Sequence, residues 1–223
     1  TCALPILKKK FVIVGHGLAG SILAHNLIDQ LQDVVVIDGG LKHSATKVSA
    51  GLINPFIGPK LNLPCEFSAC MSENLSFFEK IRMKSNRCFL ESIDLYRVFL
   101  SNEQKTRWDT KHEIYQMRTL SAYDSMQQGL VTEYGAGKTS AWKFNTLEFI
   151  KYSRDTLRSH GKYLVETFNA DNWKDHQIVF CDGYRSASNK WFAHLPWRPA
   201  QGEVLRIEST HRSEEHTSEL QSP

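Results

Sequence analysis

The sequence predicts an α/β protein: a doubly wound sheet interrupted by an inserted antiparallel α+β block. Three observations carry that reading. Residues 11–38 hold a complete strand–turn–helix–strand pattern around Gly15-His16-Gly17-Leu18-Ala19-Gly20. From about Cys88 to Gly135 the character changes to aromatic and β-branched runs separated by turn signals. At Asn145 the α/β alternation returns, with a helical pattern followed by two apolar runs.

The first strand is the apolar run Phe11-Val12-Ile13-Val14. Three glycines then follow with G-x-G-x-x-G spacing, and each has a mechanical role. Gly15 permits the tight turn, Gly17 lets backbone approach a pyrophosphate, and Gly20 lets the helix pack close to the strand. The helix runs from Leu18 to about Leu31, with Leu18, Ile22, Leu23, Leu27 and Leu31 at helical spacing. Its N-terminus offers free N–H groups and a positive dipole end to phosphate oxygens. The second strand, Val34-Val35-Val36-Ile37, ends in Asp38, 18 residues after Gly20, where a carboxylate can accept from a ribose. These residues predict a dinucleotide site. The competing reading is a glycine-rich structural turn with Asp38 as an ordinary strand-end polar residue. His16 is expected beside the nucleotide or in solvent, and His25 on the exposed side of the helix or packed as a polar group.

Beyond Gly39-Gly40, Ser44 to Gly51 reads as a polar loop entering a short helix, and Asn54-Pro55 and Gly58-Pro59 break regular structure. A longer helix is expected from Glu66 to Arg82, with Phe67, Met71, Leu75, Phe78 and Ile81 on one side. In the β-rich block, Phe89 to Leu100 is strand-like. Ser101 with Gln104 suggests a capping box for a helix to Trp108. Glu113–Thr119 and Gly129–Tyr134 are expected as further strands. Asn145 with Glu148 marks a helix start, and Gly161 its end. Strands follow at Tyr163–Phe168, at Ile178–Cys181 and, after Leu195-Pro196-Trp197-Arg198-Pro199, at Val204–Glu208.

Both ends look foreign. Arg212 to Ser222, and Thr1 to Ile6 on the opposite strand, resemble the translation of a sequencing adapter. Residues 1–6 and 212–223 are therefore expected to be non-native, and the protein is expected to continue past His211. The whole chain has 27 Lys+Arg and 24 Asp+Glu; removing Arg212, Glu214, Glu215 and Glu219 leaves 26 and 21, about +5. That charge is spread along the chain without a basic block, which argues against nucleic acid as the main partner. An apolar content of 41% excludes a disordered chain. Cys65, Cys70, Cys88 and Cys181 have neither zinc-site nor disulfide-scaffold spacing, so reduced, mostly buried thiols are expected. No apolar run approaches the ~18 residues of a membrane helix, and a cytoplasmic location is expected.

Four segments, in order and spacing, resemble the D-amino-acid oxidase superfamily of FAD-dependent oxidoreductases, the glycine oxidase and sarcosine oxidase types. They are Val14–Gly20; Ser44–Pro55, with small hydroxyl residues and an Ala-Gly pair; Ile178–Tyr184, a strand ending in glycine; and Leu195–Leu205, a proline–glycine approach to a second sheet. The resemblance implies a Rossmann-like FAD-binding domain at 7–87 and 136–189, with an inserted, incomplete substrate domain at 88–135 and 190–211. It implies that Gly15, Gly17 and Gly20 hold the FAD pyrophosphate and Asp38 the adenosine ribose, where the family more often has Glu. Thr46, Ser49, Ala50 and Gly51 would lie along the flavin mononucleotide half, with Leu52 to Pro55 near the isoalloxazine. Gly183 would follow a strand near the cofactor. Helix capping is the competing role for Thr46 and Ser49, and a plain strand-end turn for Gly183.

The implied chemistry is oxidation of a C–N bond of a small amine or amino acid. The cofactor carries it, so no catalytic side chain and no metal set is named. Pro199 to Val204 also resembles a branch acting on aminomethyl-modified tRNA. The strand–helix–strand unit alone would allow a nicotinamide-dependent dehydrogenase, against which the hydroxyl-rich Ser44–Ser49 and the late Cys181-Asp182-Gly183 strand argue. A third reading is a non-catalytic nucleotide-binding fragment, and this chain is expected to show no turnover. Trp142, Trp191 and Trp197 are expected as core or domain-junction aromatics, and Arg198 in a surface salt bridge or on a substrate carboxylate.

Overall fold

A computed structural model describes residues 10–41, 44–56, 58, 60–111, 117–200 and 202. In chain order the elements begin with β1 (Phe11–Val14), α1 (Leu18–Asp29), β2 (Val34–Asp38) and α2 (Ala45–Val48). Next come β3 (Leu52–Ile53), α3 (Phe67–Ser85), β4 (Leu90–Val98), α4 (Asn102–Asp109), β5 (Arg118–Leu120), α5 (Ala122–Gln127) and β6 (Ala136–Phe144). The chain continues with α6 (Thr146–Ser159), β7 (Tyr163–Val165) and β8 (Gln177–Phe180). They form two compact units. The described residues up to Ala50 and from Thr146 make one, and Gly51–Asn145 the other.

The first unit is built on a parallel sheet of order β7-β2-β1-β8. Its central strands are apolar on both faces, as a covered parallel sheet requires. Ile13, Val34 and Val36 pack with Ala24 and Leu27 of α1 and with Leu157 of α6. Val12, Val35 and Ile37 pack on the other face with Leu164, Phe168, Trp173 and Ile178. The winding is therefore double. The α1 crossover lies on one face, and the segment joining β7 to β8 lies on the other. That second crossover carries only the short 3-10 turn Ala170–Trp173 instead of an α-helix. All four strands run parallel, and the order in which the chain adds them reverses between β1 and β8, the switch point where α/β sheets open a crevice at their carboxyl ends.

The second unit is an antiparallel sheet, β3-β6-β4 with β5 also on β6. Strands β4 and β6 pair along their whole length, from Leu90↔Phe144 to Val98↔Ala136. A core of Phe56, Leu61, Phe99, Trp108 and Met117 forms within it. Trp108 lies so close to Gly137 that a Cβ there would stand 2.2 Å from the indole ring.

Several expectations change. Residues 129–134 are not a strand: Val131 is 92% exposed. The chain ahead of these residues makes α5, started by a capping box between Ser121 and Asp124, and leaves the helix by a turn through Gly129 at φ +74°. The strand is β6 instead, whose Ala-Gly-Lys-Thr-Ser start is weak in local β-propensity and is fixed by pairing with β4. By packing, the two units divide at 50/51 and 145/146. Leu31, expected on the apolar stripe of α1, lies past its end at φ +59° and is exposed. There Leu31 N donates to Ile28 O and Gln32 N to Leu27 O, a Schellman closure. Leu75 of α3 is exposed and Phe77 is buried in its place. Cys65, Cys70 and Cys88 are exposed thiols and Cys181 is half-buried, so the cysteines are not mostly buried. Trp191 and Trp197 are substantially exposed, whereas Trp142 packs on Phe67. The expected strand 204–208, most of 113–119, and both adapter-like ends lie outside the described residues.

Candidate functional site

Above the carboxyl ends of β1, β2 and β8 lies an open cleft of about 810 Å³. Its floor is the β1–α1 turn, Gly15 to Ala19. Its sides are the end of β2 with Asp38, the start of α2 with Thr46, residues 166–168 after β7, and the segment after β8 from Cys181 to Trp191.

The glycine turn is shaped by contacts that only hydrogen can fill. Gly15 sits at φ +103°, and a Cβ there would lie 2.5 Å from the Cys181 carbonyl oxygen. A Cβ on Gly20 would lie 2.1 Å from the carbonyl oxygen of Gly15. So Gly15 fixes both the turn and the approach of β8, and Gly20 fixes the approach of α1 to the turn. Gly17 precedes α1 in extended conformation and has no side chain to cap it. That role falls to Thr46, whose hydroxyl accepts from the Leu18 amide at 3.1 Å. One of the amides at the helix N-terminus is thereby satisfied, and the positive end of the helix faces the cleft.

Helix α2 is started by Ser44, whose hydroxyl accepts from Lys47 N at 3.3 Å. The Lys47 ammonium donates to the Leu41 carbonyl. Ser49 does not line the cleft; its hydroxyl donates to Thr46 O at 3.0 Å and stands 3.2 Å from the Thr146 hydroxyl. Ala50 and Gly51 also lie off the cleft wall; Gly51 adopts φ +72° and its carbonyl accepts from Phe144 N. Gly183 lines the cleft at φ +61° with open space around it, so conformation, not contact, asks for glycine there. Asp182 beside it accepts from the Ser186 hydroxyl. Burial and the neighbouring Asp182 carboxylate push the Cys181 thiol pKa up, which leaves it a packed thiol rather than a thiolate.

Asp38 lies at the cleft wall, and its Oδ2 accepts from the Tyr163 hydroxyl at 2.9 Å. Tyr163 was not among the residues picked out by the sequence; its only local signal was its place at the start of a strand. Of the two places expected for His16, beside the nucleotide or in solvent, it takes the first: it lines the cleft. It is buried, 7% exposed, rather than solvated. Its ring meets Tyr163 edge-on at 5.0 Å, and its Nε2 is 3.1 Å from Ser153 Oγ in α6. The same hydroxyl is 3.1 Å from His25 Nε2. A single hydroxyl proton serves only one of the two imidazoles, so the other must donate to the oxygen. Burial lowers the His16 pKa to about 4, against the raising effect of Asp38 and with Arg154, His25 and Lys47 adding to the fall. Beneath the glycine turn His16 is thus a neutral spacer between α1, α6 and β7. Among the described residues no cluster of His, Cys, Asp or Glu could hold a metal ion, and no helix is long and apolar enough to cross a membrane.

No protein-family model matches the chain. Its structure, however, is similar to several solved ones. L-proline dehydrogenase from P. horikoshii matches with a TM-score of 0.61 at 15% identity, over 86% of this chain and 57% of that one. The chain has their fold. Glycine oxidase from Bacillus cereus ATCC 14579 matches at 0.55 and 18% identity, over 70% of this chain and 46% of the oxidase. L-amino acid deaminase from Proteus vulgaris matches at 0.51 and 15%, over 81% and 41%. The chain thus spans between 41% and 57% of the length of these three proteins.

Proposed function

We propose that this chain is the nucleotide-binding part of an FAD-dependent oxidoreductase that oxidises a C–N bond of a small amine or amino acid. The observation that carries the reading is the glycine turn at the switch point. Gly15 and Gly20 stand where a side chain would strike backbone oxygen at 2.5 and 2.1 Å, which keeps the loop thin where a pyrophosphate approaches. Support for the substrate class comes from the fold shared with a glycine oxidase, a proline dehydrogenase and an amino-acid deaminase.

The residues present fit the dinucleotide. The turn from Gly15 to Gly20 and the α1 N-terminus would hold its pyrophosphate, with Thr46 bracing the helix end. Asp38 would take the adenosine ribose. Thr46 and Gly183, which line the cleft, are proposed for the flavin half, and the Gly51–Asn145 unit as part of the substrate domain. The flavin, when bound, supplies the acceptor for the two electrons leaving the C–N unit. The contribution of this chain is binding and orientation. The test is the visible spectrum of the purified protein and the identity of the nucleotide released on denaturation. Released FAD is the expected result. A colourless protein that binds NAD instead would overturn the reading.

A further inference from the structure

We propose that Tyr163 is a positioning residue of the nucleotide site: its hydroxyl fixes the Asp38 carboxylate in the orientation that takes an unphosphorylated ribose diol. The inference rests on the dinucleotide reading above and deepens it. Tyr163 begins β7, in register with Val36, two residues before Asp38 on the neighbouring strand. Its hydroxyl donates to Asp38 Oδ2 at 2.9 Å. The ring itself is held, edge-on against His16 at 5.0 Å and beneath the Arg158 guanidinium at 5.2 Å. A donor this constrained removes rotational freedom from the carboxylate it holds. Burial and the Asp38 charge push the phenol pKa up, so Tyr163 keeps its proton and always donates.

Asp38 is left as an acceptor-only group with lone pairs on both oxygens still to be used. A ribose offers two vicinal O–H donors that match them. A 2′-phosphate offers only negative charge and acceptor oxygens, and is repelled. Because the Tyr163 bond already aligns the carboxylate, a diol meets a set orientation instead of having to impose one, and part of the ordering cost falls away.

The experiment compares equilibrium binding of ADP and 2′-deoxy-ADP to the full chain and to its Tyr163→Phe variant, which removes one oxygen. ADP affinity should fall about tenfold in the variant, the scale of one charge-assisted bond. The 2′-deoxy-ADP affinity should fall clearly less, because one of the two oriented contacts is absent from that ligand. In an Asp38→Ala background, where the acceptor of the Tyr163 hydroxyl is gone, Tyr163→Phe should have no further effect on ADP. Tyr163→Met, which also lacks the donor, serves if the phenylalanine variant does not fold. Equal loss for both ligands, or loss for neither, would overturn the positioning role while leaving the nucleotide site standing. Failure of the unaltered chain to bind either ligand would overturn the dinucleotide reading itself, and this inference with it.

Discussion

The buried imidazole of His16 makes stability depend on pH, with a sign and size that follow from its surroundings. Folding lowers its pKa from 6.5 to about 4, chiefly because burial penalises the charged ring. Between those values the unfolded chain binds a proton that the folded chain does not. Stability is therefore full above pH 6.5, declines as pH falls from 6.5 towards 4, and loses nothing further from this group below that. At ~1.36 kcal/mol per unit, the loss is about 3 kcal/mol, a large share of a typical folding free energy. Asp38 opposes the shift, while Arg154, His25 and Lys47 favour it. His16→Asn keeps a polar partner for Ser153 but cannot titrate. Denaturant unfolding of both proteins, followed by tryptophan fluorescence at several pH values from 4 to above 6.5, isolates the term in their difference. The variant should be less stable than the parent at neutral pH, and the gap should narrow by about 3 kcal/mol as pH falls. A gap constant across that range, or one that widens in acid, would refute the reasoning.

Four further substitutions test other parts of the structure. Gly20→Ala places a methyl 2.1 Å from the Gly15 carbonyl oxygen. It should cost about 1–3 kcal/mol in denaturant unfolding and abolish measurable dinucleotide binding. Gly137→Ala drives a methyl into the Trp108 ring at 2.2 Å, and Trp108 is only 1% exposed. The same unfolding assay should show a loss near ~3 kcal/mol, with the indole fluorescence changed. Thr46→Val removes the acceptor of the Leu18 amide; a loss of about 1 kcal/mol is expected, with Thr46→Ser restoring it. Ser121→Ala breaks the capping box of α5, and hydrogen exchange should quicken at residues 122–127 by about 1 kcal/mol of local stability.

Much of the nucleotide-binding unit was legible in the sequence because its signals are local. The run Phe11 to Val14, the three spaced glycines and the run ending in Asp38 are read one after another, and β1, α1 and β2 form there with those glycines in close contact. The caps at Ser101 and Gly161 are likewise local: Ser101 Oγ accepts from Gln104 N, and Gly161 N donates to Arg158 O. What the sequence hid depends on partners far along the chain. Strand β6 has little strand propensity of its own and is a strand because β4, some forty residues earlier, pairs with it. The exposure of Cys65, Cys70 and Cys88 depends on what packs over them, which composition cannot tell. Above all, the bond from Tyr163 to Asp38 and the burial of His16 against Ser153 join positions more than 120 residues apart. Sequence by itself determined which backbone could make a thin turn beside a carboxylate, since glycine's conformational range and strand periodicity act within a few residues. Only the tertiary structure decided how that carboxylate is held and which histidine stays neutral, because desolvation and hydrogen-bond geometry arise from groups that folding alone brings together.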